Sequence, residues 1–206
     1  MDITPFSTRQ RILGAAEELF ARHGFAGASL RQVTASAKVN LAAVNYHFGS
    51  KENLIEEVFR RRLDELNARR LELLAQCRDR PQLSLEEVLD AFVRPALELS
   101  LSDNGGAAFV RVLARAYAEH DERLRRFLSD NYGHVLKEFA AVFARLLPRL
   151  DKEELYWRLD IVSGALTYAM ADFGVLKRRG DVSEQVHRER TASHLIRFAA
   201  AGLRAA

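Results

Sequence analysis

Apolar residues recur at every third or fourth position along nearly the whole chain, and no stretch shows the alternation that predicts a strand. Three residue pairs have the spacing of a capping box, which marks the start of a helix: Ser7 with Gln10, Ser29 with Gln32, and Ser84 with Glu87. Further helix-start candidates are Asn40, Ser50, Asp121, Asp151 and Ser183. These signals predict an all-α protein of about nine helices, which begin at about residues 8, 30, 41, 51, 85, 104, 122, 152 and 184.

The first three predicted helices are short and closely linked, whereas the fourth is long. A break follows the fourth helix, because Pro81 lacks an amide hydrogen and disfavours the helical conformation at Arg80. The later helices are longer and form a second unit. The predicted domains are therefore an N-terminal three-helix module over residues 1–50, a connecting helix over 51–78 and a larger helical bundle over 79–206.

The segment from Ser29 to Lys51 has the proportions of a helix-turn-helix, with a short turn between two helices of about eight residues each. In this motif the first helix supports the second, which enters the major groove of DNA. Val44 and Phe48 are the residues of the second helix that we expect to face inward. The remaining residues of that helix would then be free to contact DNA.

The outward residues of the second helix suit contacts with base edges. Asn45 can form two hydrogen bonds to adenine, and Leu41 and Ala43 can contact thymine methyl groups. Several nearby groups can reach phosphates instead: the helix start capped by Ser29, and the side chains of Arg31, Tyr46, His47 and Lys51. An aromatic-His-aromatic run on a short helix is more often core packing. The polar neighbours of Tyr46, and a lysine that opposes the dipole of the next helix, favour DNA binding here.

These residues resemble the N-terminal signature of the TetR-type (TetR/AcrR) transcriptional regulators. The matching segments are Gly24-Phe25, Ser29-Leu30-Arg31 and Val44-Asn45-Tyr46-His47-Phe48-Gly49-Ser50-Lys51. The resemblance implies a three-helix DNA-binding head, a fourth helix that leads to a ligand-binding bundle, and a homodimer. It also implies that Arg31, Tyr46, His47 and Lys51 hold the DNA backbone, while Leu41, Ala43 and Asn45 face the bases.

One residue departs from the family pattern. Lys38 stands in the turn where a glycine is common in the family. A lysine tolerates a positive φ poorly, so this departure predicts a turn that is either strained or altered.

The second half of the chain is rich in bulky residues, which can fill a core or line a cavity for an apolar ligand. More loosely, this half resembles the branch of the family that responds to long-chain fatty acids, through Phe109-Val110-Arg111, Tyr132-Gly133, Leu155-Tyr156-Trp157-Arg158 and Phe198-Ala199-Ala200-Ala201-Gly202. The resemblance implies a fatty acid or an acyl thioester as the small-molecule effector. The ligand-binding candidates are Arg111, Tyr132, Tyr168 and Asp172.

Arg111 is the expected anchor for the anionic end of such a ligand, because apolar residues flank it on both sides. The alternative is an arginine at the surface that forms salt bridges. Small residues suggest a second role for the last two helices, since they let helix backbones approach closely: Ser163, Gly164, Ala165, Ala169 and Gly202. They favour a homodimer through a two-fold four-helix interface, although a contact within one chain explains the same residues.

Composition narrows the function classes further. The chain has 206 residues, of which 48% are hydrophobic and 29% charged, with a formal net charge of +3. Cys77 is the single cysteine, no apolar run reaches the ~20 residues of a membrane helix, and no secretory signal is visible. We therefore expect a cytoplasmic protein without a membrane contact.

The sequence contains few features of a catalytic site. Cys77 has no evident catalytic partner, and His187 and His194, seven positions apart, are too few ligands for a zinc site. We expect no catalytic residue, no metal and no cofactor. The predicted function is a ligand-responsive regulator, most simply a repressor, that a largely apolar molecule releases from a palindromic double-stranded DNA operator. The alternative is a helical-bundle enzyme or a small-molecule carrier that does not bind DNA.

Overall fold

The computed structural model describes residues 6–100, 105–119, 121–171 and 180–205. Across these ranges the protein contains nine α-helices and no strand, so the predicted all-α class is confirmed. The helices are α1 Thr8–Gly27, α2 Leu30–Ala37, α3 Leu41–Phe48, α4 Lys51–Cys77, α5 Leu85–Ser100, α6 Gly106–Glu119, α7 Glu122–Leu146, α8 Lys152–Met170 and α9 Glu184–Arg204. α1 is interrupted by non-helical backbone at Gly24.

The helix starts follow the local capping signals. Each of the three predicted capping boxes is present; at α2, for example, the Gln32 amide donates to Ser29 Oγ over 3.3 Å, and Ser29 donates its own amide to Gln32 Oε1 over 2.8 Å. The one shifted start is that of α6, at Gly106 instead of about residue 104. Gly105 lies at a φ of +95°, which is outside the helical region, and its carbonyl accepts the first hydrogen bond of α6.

The first compact unit comprises the described residues of 1–64 and 102–127. It therefore contains α1 to α3, the start of α4, the whole of α6 and the start of α7. Its centre is a row of phenylalanine rings, in which Phe20 contacts Phe25, Phe25 contacts Phe59, and Phe59 contacts Phe109, with centroids 5.6, 6.3 and 5.6 Å apart. The row joins α1, α4 and α6 into one core.

The second compact unit comprises the described residues of 65–101 and 128–206. Here α5 packs against α8 and α9, which also pack against each other. The two units are therefore not continuous segments of the chain. α6 belongs to the same unit as the N-terminal helices, and α4 and α7 each contribute to both units. The functional boundaries after residues 50 and 78 stay a prediction.

Candidate DNA-binding site

The second helix of the motif, α3, separates an inner from an outer face. Val44 and Phe48 are buried, as expected from the sequence, and fix the helix against α1 and α2. The Asn40 side chain accepts a hydrogen bond of 2.8 Å from the Ala43 amide and so caps the start of α3. The exposed side chains are Leu41, Ala42, Asn45, Tyr46 and His47, and Ala43 is half-buried. Tyr46 is 86% exposed, so this aromatic residue is not part of the core.

The turn before α3 has a left-handed residue. Lys38 lies at φ 53° and ψ 51°, the predicted strained conformation, and it is the one non-glycine residue at positive φ in the described part of the chain. The turn is closed by hydrogen bonds from the amides of Lys38 and Val39 to the last carbonyls of α2. Arg11 of α1 holds it from outside, because its guanidinium donates to the carbonyls of Ala37 and Lys38 over 3.1 and 2.8 Å.

Replacing Lys38 by glycine is expected to raise the free energy of unfolding by about 0.5–1 kcal/mol. A left-handed conformation costs a lysine more than a glycine, and this difference exceeds the additional chain entropy that glycine loses on folding. Urea unfolding measures the change. The matched control is Ala35→Gly, an exposed position inside α2, where glycine should be destabilising by about 1 kcal/mol. A loss of stability at both positions would contradict the strain at Lys38.

The groups predicted to hold phosphates surround α3. Ser29 is exposed at the start of α2, Arg31 is exposed beside it, and Lys51 is half-buried at the start of α4. Neither Arg31 nor Lys51 forms an ion pair with another of the described residues. The backbone amide of Glu52 and the Ser50 hydroxyl hold the pKa of the Glu52 carboxyl below its ordinary value. The start of α4 thus favours an anion.

The predicted ligand residues are distributed over both units, and one of them lies outside the described residues. Arg111 is exposed on α6 while its neighbours Val110 and Val112 are buried, so the burial expected for this arginine was wrong. Adjacent residues of a helix point about 100° apart, so apolar neighbours in the sequence do not enclose a side chain. Arg111 belongs to the first unit, whereas the half-buried Tyr132 and the exposed Tyr168 belong to the second. Asp172 lies outside the described residues. A ligand role of these residues stays a prediction.

A groove of about 570 Å³ lies in the second unit between α4, α5 and α9. Its walls carry charged side chains that already pair with one another: Arg80 with Glu87 over 3.2 Å, and Arg94 with Asp90 over 2.8 Å. The groove therefore differs from the aromatic cavity that the sequence suggested. Cys77 is one of the residues that line the groove, and its burial raises the pKa of the thiol.

Features of other function classes are sparse. Glu184 and His187, at the start of α9, have the Glu-x-x-His spacing of a bundle metal site. No group of three His, Cys, Asp or Glu side chains able to hold a metal occurs within the described ranges. Likewise, none of the helices in the described parts of the chain is long and apolar enough to cross a membrane.

A second exposed surface lies on α8 and α9 and is apolar. Trp157, Ile161 and Tyr168 of α8 are 61%, 64% and 50% exposed, and Phe198 of α9 is 70% exposed. Gly164 lies between them along α8, with no atom within 4 Å of a Cβ built there. We call these five residues the α8–α9 apolar surface. Isolated apolar side chains at the surface are ordinary, but this surface carries four large ones.

The two helices beneath this surface are held together at both ends by arginines. Arg158 of α8 donates to the carbonyls of Gly202, Leu203 and Ala205 at the end of α9, over 2.6 to 3.2 Å. Arg188 of α9 donates in return to the carbonyls that end α8, the nearer over 3.0 Å. Each arginine donates to carbonyls that a helix end leaves without an intrahelical partner. The two arginines therefore fix α8 and α9, which carry the apolar surface, against each other.

Comparisons with known proteins agree with this architecture. Among curated relatives, the chain is 35% identical over 86 residues to the HTH-type transcriptional repressor NicS of Pseudomonas putida, which is 42% of this chain and 40% of NicS. It is 42% identical over 50 residues to the HTH-type transcriptional repressor AcnR of Corynebacterium glutamicum, which is 24% of this chain and 27% of AcnR. The matches thus span less than half of the length of these relatives.

Solved structures match over nearly the whole chain. A tetR-family transcription regulator from Shewanella sp. PV-4 has a TM-score of 0.66 at 19% identity and 96% coverage of both chains. The TetR-family regulator PfmR from Thermus thermophilus has a TM-score of 0.66 at 18% identity and 98% coverage of both chains. At these identities the likeness concerns the fold.

Two family models match the chain. The model for bacterial regulatory proteins of the tetR family matches residues 12–58, which contain the helix-turn-helix. The model for a tetracyclin repressor-like C-terminal domain matches residues 90–202, which is more than half of the chain. With both family models and the fold in agreement, the chain belongs to the TetR family.

Proposed function

We propose that this protein is a transcriptional regulator that binds double-stranded DNA through α2, α3 and the start of α4. The outer face of α3 carries this proposal, because it presents Asn45, Tyr46 and His47 to solvent while Val44 and Phe48 hold the helix in place. A helix of this kind fits the major groove, and Asn45 offers the paired donor and acceptor that adenine requires. The names of NicS and AcnR, both repressors, support repression as the outcome.

The α8–α9 apolar surface supports a homodimer through the last two helices. In a dimer two heads meet successive major grooves of a palindromic operator, with their recognition helices about 34–36 Å apart. A second head adds a second half-site, and this raises the overall affinity without any new kind of contact. The location that agrees with this function is the cytoplasm, where bacterial DNA lies.

The effector in this proposal is a small, largely apolar molecule that releases the protein from DNA. It acts by binding one conformation better than the other, and that difference in affinity limits the effect. Fatty acids and acyl thioesters follow from the family resemblance. Native and denaturing mass spectrometry of the purified protein identifies any ligand carried through purification. A protein that carries no ligand and does not respond to these compounds on DNA would overturn this ligand class and leave DNA binding intact.

Replacing Asn45 by alanine is expected to weaken binding to the cognate operator by about 1–3 kcal/mol and to leave binding to random DNA unchanged. The reason is that a base contact contributes to recognition of one sequence, whereas phosphate contacts contribute to all. The operator is first selected by the wild-type protein from a random-sequence library. Fluorescence anisotropy with the selected and a scrambled duplex then measures both affinities. An equal loss on the two duplexes would argue that Asn45 does not read a base.

Replacing Lys51 by alanine should weaken binding to every duplex and reduce the slope of log affinity against log salt by about one. This follows if the ammonium group neutralises one phosphate. Lys152→Ala is a matched control, because Lys152 is also the first residue of a helix behind its N-cap, but lies on α8. An unchanged salt slope for Lys51→Ala would exclude a phosphate contact of this lysine.

A further inference from the structure

Asn53, in the first turn of α4, connects the end of α3 to a residue far along the chain. Its Nδ2 donates to the carbonyl oxygen of Phe48, the last residue of α3, over 3.0 Å. Its Oδ1 accepts a hydrogen bond of 2.8 Å from Nη2 of Arg123, which lies 70 positions later at the start of α7. The amide of Asn53 also donates to Ser50 Oγ, so the backbone of this residue is fixed as well.

The guanidinium of Arg123 is itself held in one orientation. Its Nε donates to Oε1 of Glu56 over 2.9 Å, one turn along α4 from Asn53. The backbone amide of Arg123 donates to Asp121, which caps α7, over 2.9 Å. A planar guanidinium with two fixed donors specifies both the distance and the angle of its partners, which a lysine ammonium does not.

From this arrangement we infer that Arg123 is a positioning residue for α3, acting through Asn53 on the Phe48 carbonyl; the inference rests on the proposed DNA-binding function. All four residues of the connection, Phe48, Asn53, Glu56 and Arg123, belong to the first unit. α4 and α7 both continue into the second unit. The connection therefore ties the end of the recognition helix to two helices that each contribute to both units.

A direct contact of Arg123 with a phosphate is the competing explanation, since the start of α4 is close by. Two nitrogens of the guanidinium already donate to Glu56 and Asn53, and Glu56 neutralises its charge. A positioning role and a charge role of Arg123 predict different results for DNA binding. A positioning role depends on the guanidinium shape and alters recognition of one sequence, whereas a charge role depends on the positive charge and alters binding to all DNA.

The experiment uses full-length protein, the duplex that the wild type selects from a random-sequence library, and a scrambled duplex of equal length. Arg123→Gln and Arg123→Lys are each expected to weaken binding to the selected duplex about three- to tenfold, the worth of about one hydrogen bond. Binding to the scrambled duplex and the salt slope should stay unchanged. Arg126→Gln, an exposed arginine on the same helix, is the control for the loss of one charge.

A double-mutant cycle then tests the path through Asn53. Asn53→Ala should weaken binding to the selected duplex at least as much as Arg123→Gln, and the double variant should equal Asn53→Ala alone. Thermal unfolding of each variant should match that of Arg126→Gln, since these side chains are at the surface. Rescue by Arg123→Lys, a salt slope reduced by about one, or additive losses would each overturn the positioning role. A wild type that selects no duplex would overturn the proposed function itself, together with this inference.

Discussion

Replacing Glu17 by alanine is expected to lower the free energy of unfolding by about 3–5 kcal/mol, a large loss for a single charged side chain. Glu17 of α1 is 2% exposed and pairs with Arg62 of α4, which is 8% exposed. The two donors of Arg62 reach the two carboxylate oxygens over 3.1 and 2.7 Å. Without the carboxylate, the buried guanidinium loses both of these hydrogen bonds and the negative charge that they reach.

The surroundings of this pair increase the expected loss. Arg61 lies 4.0 Å from the same carboxylate, so two arginines depend on Glu17. Burial raises the pKa of the Glu17 carboxyl, while the hydrogen bond and the charge of Arg62 act in the opposite direction, so the expected loss comes from the arginines that lose this carboxylate. A Cβ at Gly105 would lie 2.7 Å from Arg62 and 2.9 Å from Glu17, which leaves no room above the pair for a side chain.

Urea unfolding followed by circular dichroism measures the change, with Glu18→Ala as the matched control. Glu18 is the next residue of α1, and its ion pair with Arg22 is largely exposed, so its loss should cost at most about 0.5 kcal/mol. The double variant Glu17→Met with Arg62→Met should recover most of the stability, because apolar side chains of similar size replace the buried carboxylate and the buried guanidinium of Arg62 together. Similar losses for Glu17→Ala and Glu18→Ala would show that the buried pair contributes little.

The helices of this protein could be predicted because their signals are local. A capping box such as Ser29 with Gln32 acts over three residues, and the spacing of Val44 and Phe48 marks the buried side of α3. For the same reason the outer face of the recognition helix followed from the residues, whereas the strained or altered turn at Lys38 was expected from the family resemblance. Capping boxes and the buried faces of helices depend on residues within one or two helical turns, so they can be predicted from the sequence itself.

Contacts between distant residues could not be predicted in this way. Glu17 with Arg62, and Arg123 with Asn53, join positions 45 and 70 apart, and nothing in the spacing of a charged residue indicates which partner it meets. The membership of α6 in the first unit depends on Phe109 packing against Phe59, and the sequence alone assigned Phe109 to the bundle. Arg111 was placed in a pocket because its neighbours are apolar, but exposure depends on the helix face.

Replacing Ile161 by glutamate is expected to convert the proposed dimer into monomers and to weaken operator binding by about 10²–10⁴-fold. Ile161 is 64% exposed in the single chain and lies between Trp157 and Gly164 on the α8–α9 apolar surface. In a two-fold interface each copy would bring its own carboxylate into an apolar contact. Burial of two unpaired charges costs several kcal/mol, which opposes formation of the dimer.

Analytical ultracentrifugation gives the oligomeric state, and anisotropy with the selected duplex gives the affinity. Tyr117→Glu is the control, because Tyr117 is 61% exposed on α6 and belongs to the first unit, whereas α8 and α9 belong to the second. That variant should stay dimeric and bind DNA as the wild type does. Weak operator binding by Ile161→Glu can have two causes, loss of the dimer or damage to the DNA-binding head. A duplex with a single half-site distinguishes them, because one intact head should bind it with equal affinity in the wild type and in Ile161→Glu. If Ile161→Glu sediments as a dimer at micromolar concentration, the dimer does not form through this surface.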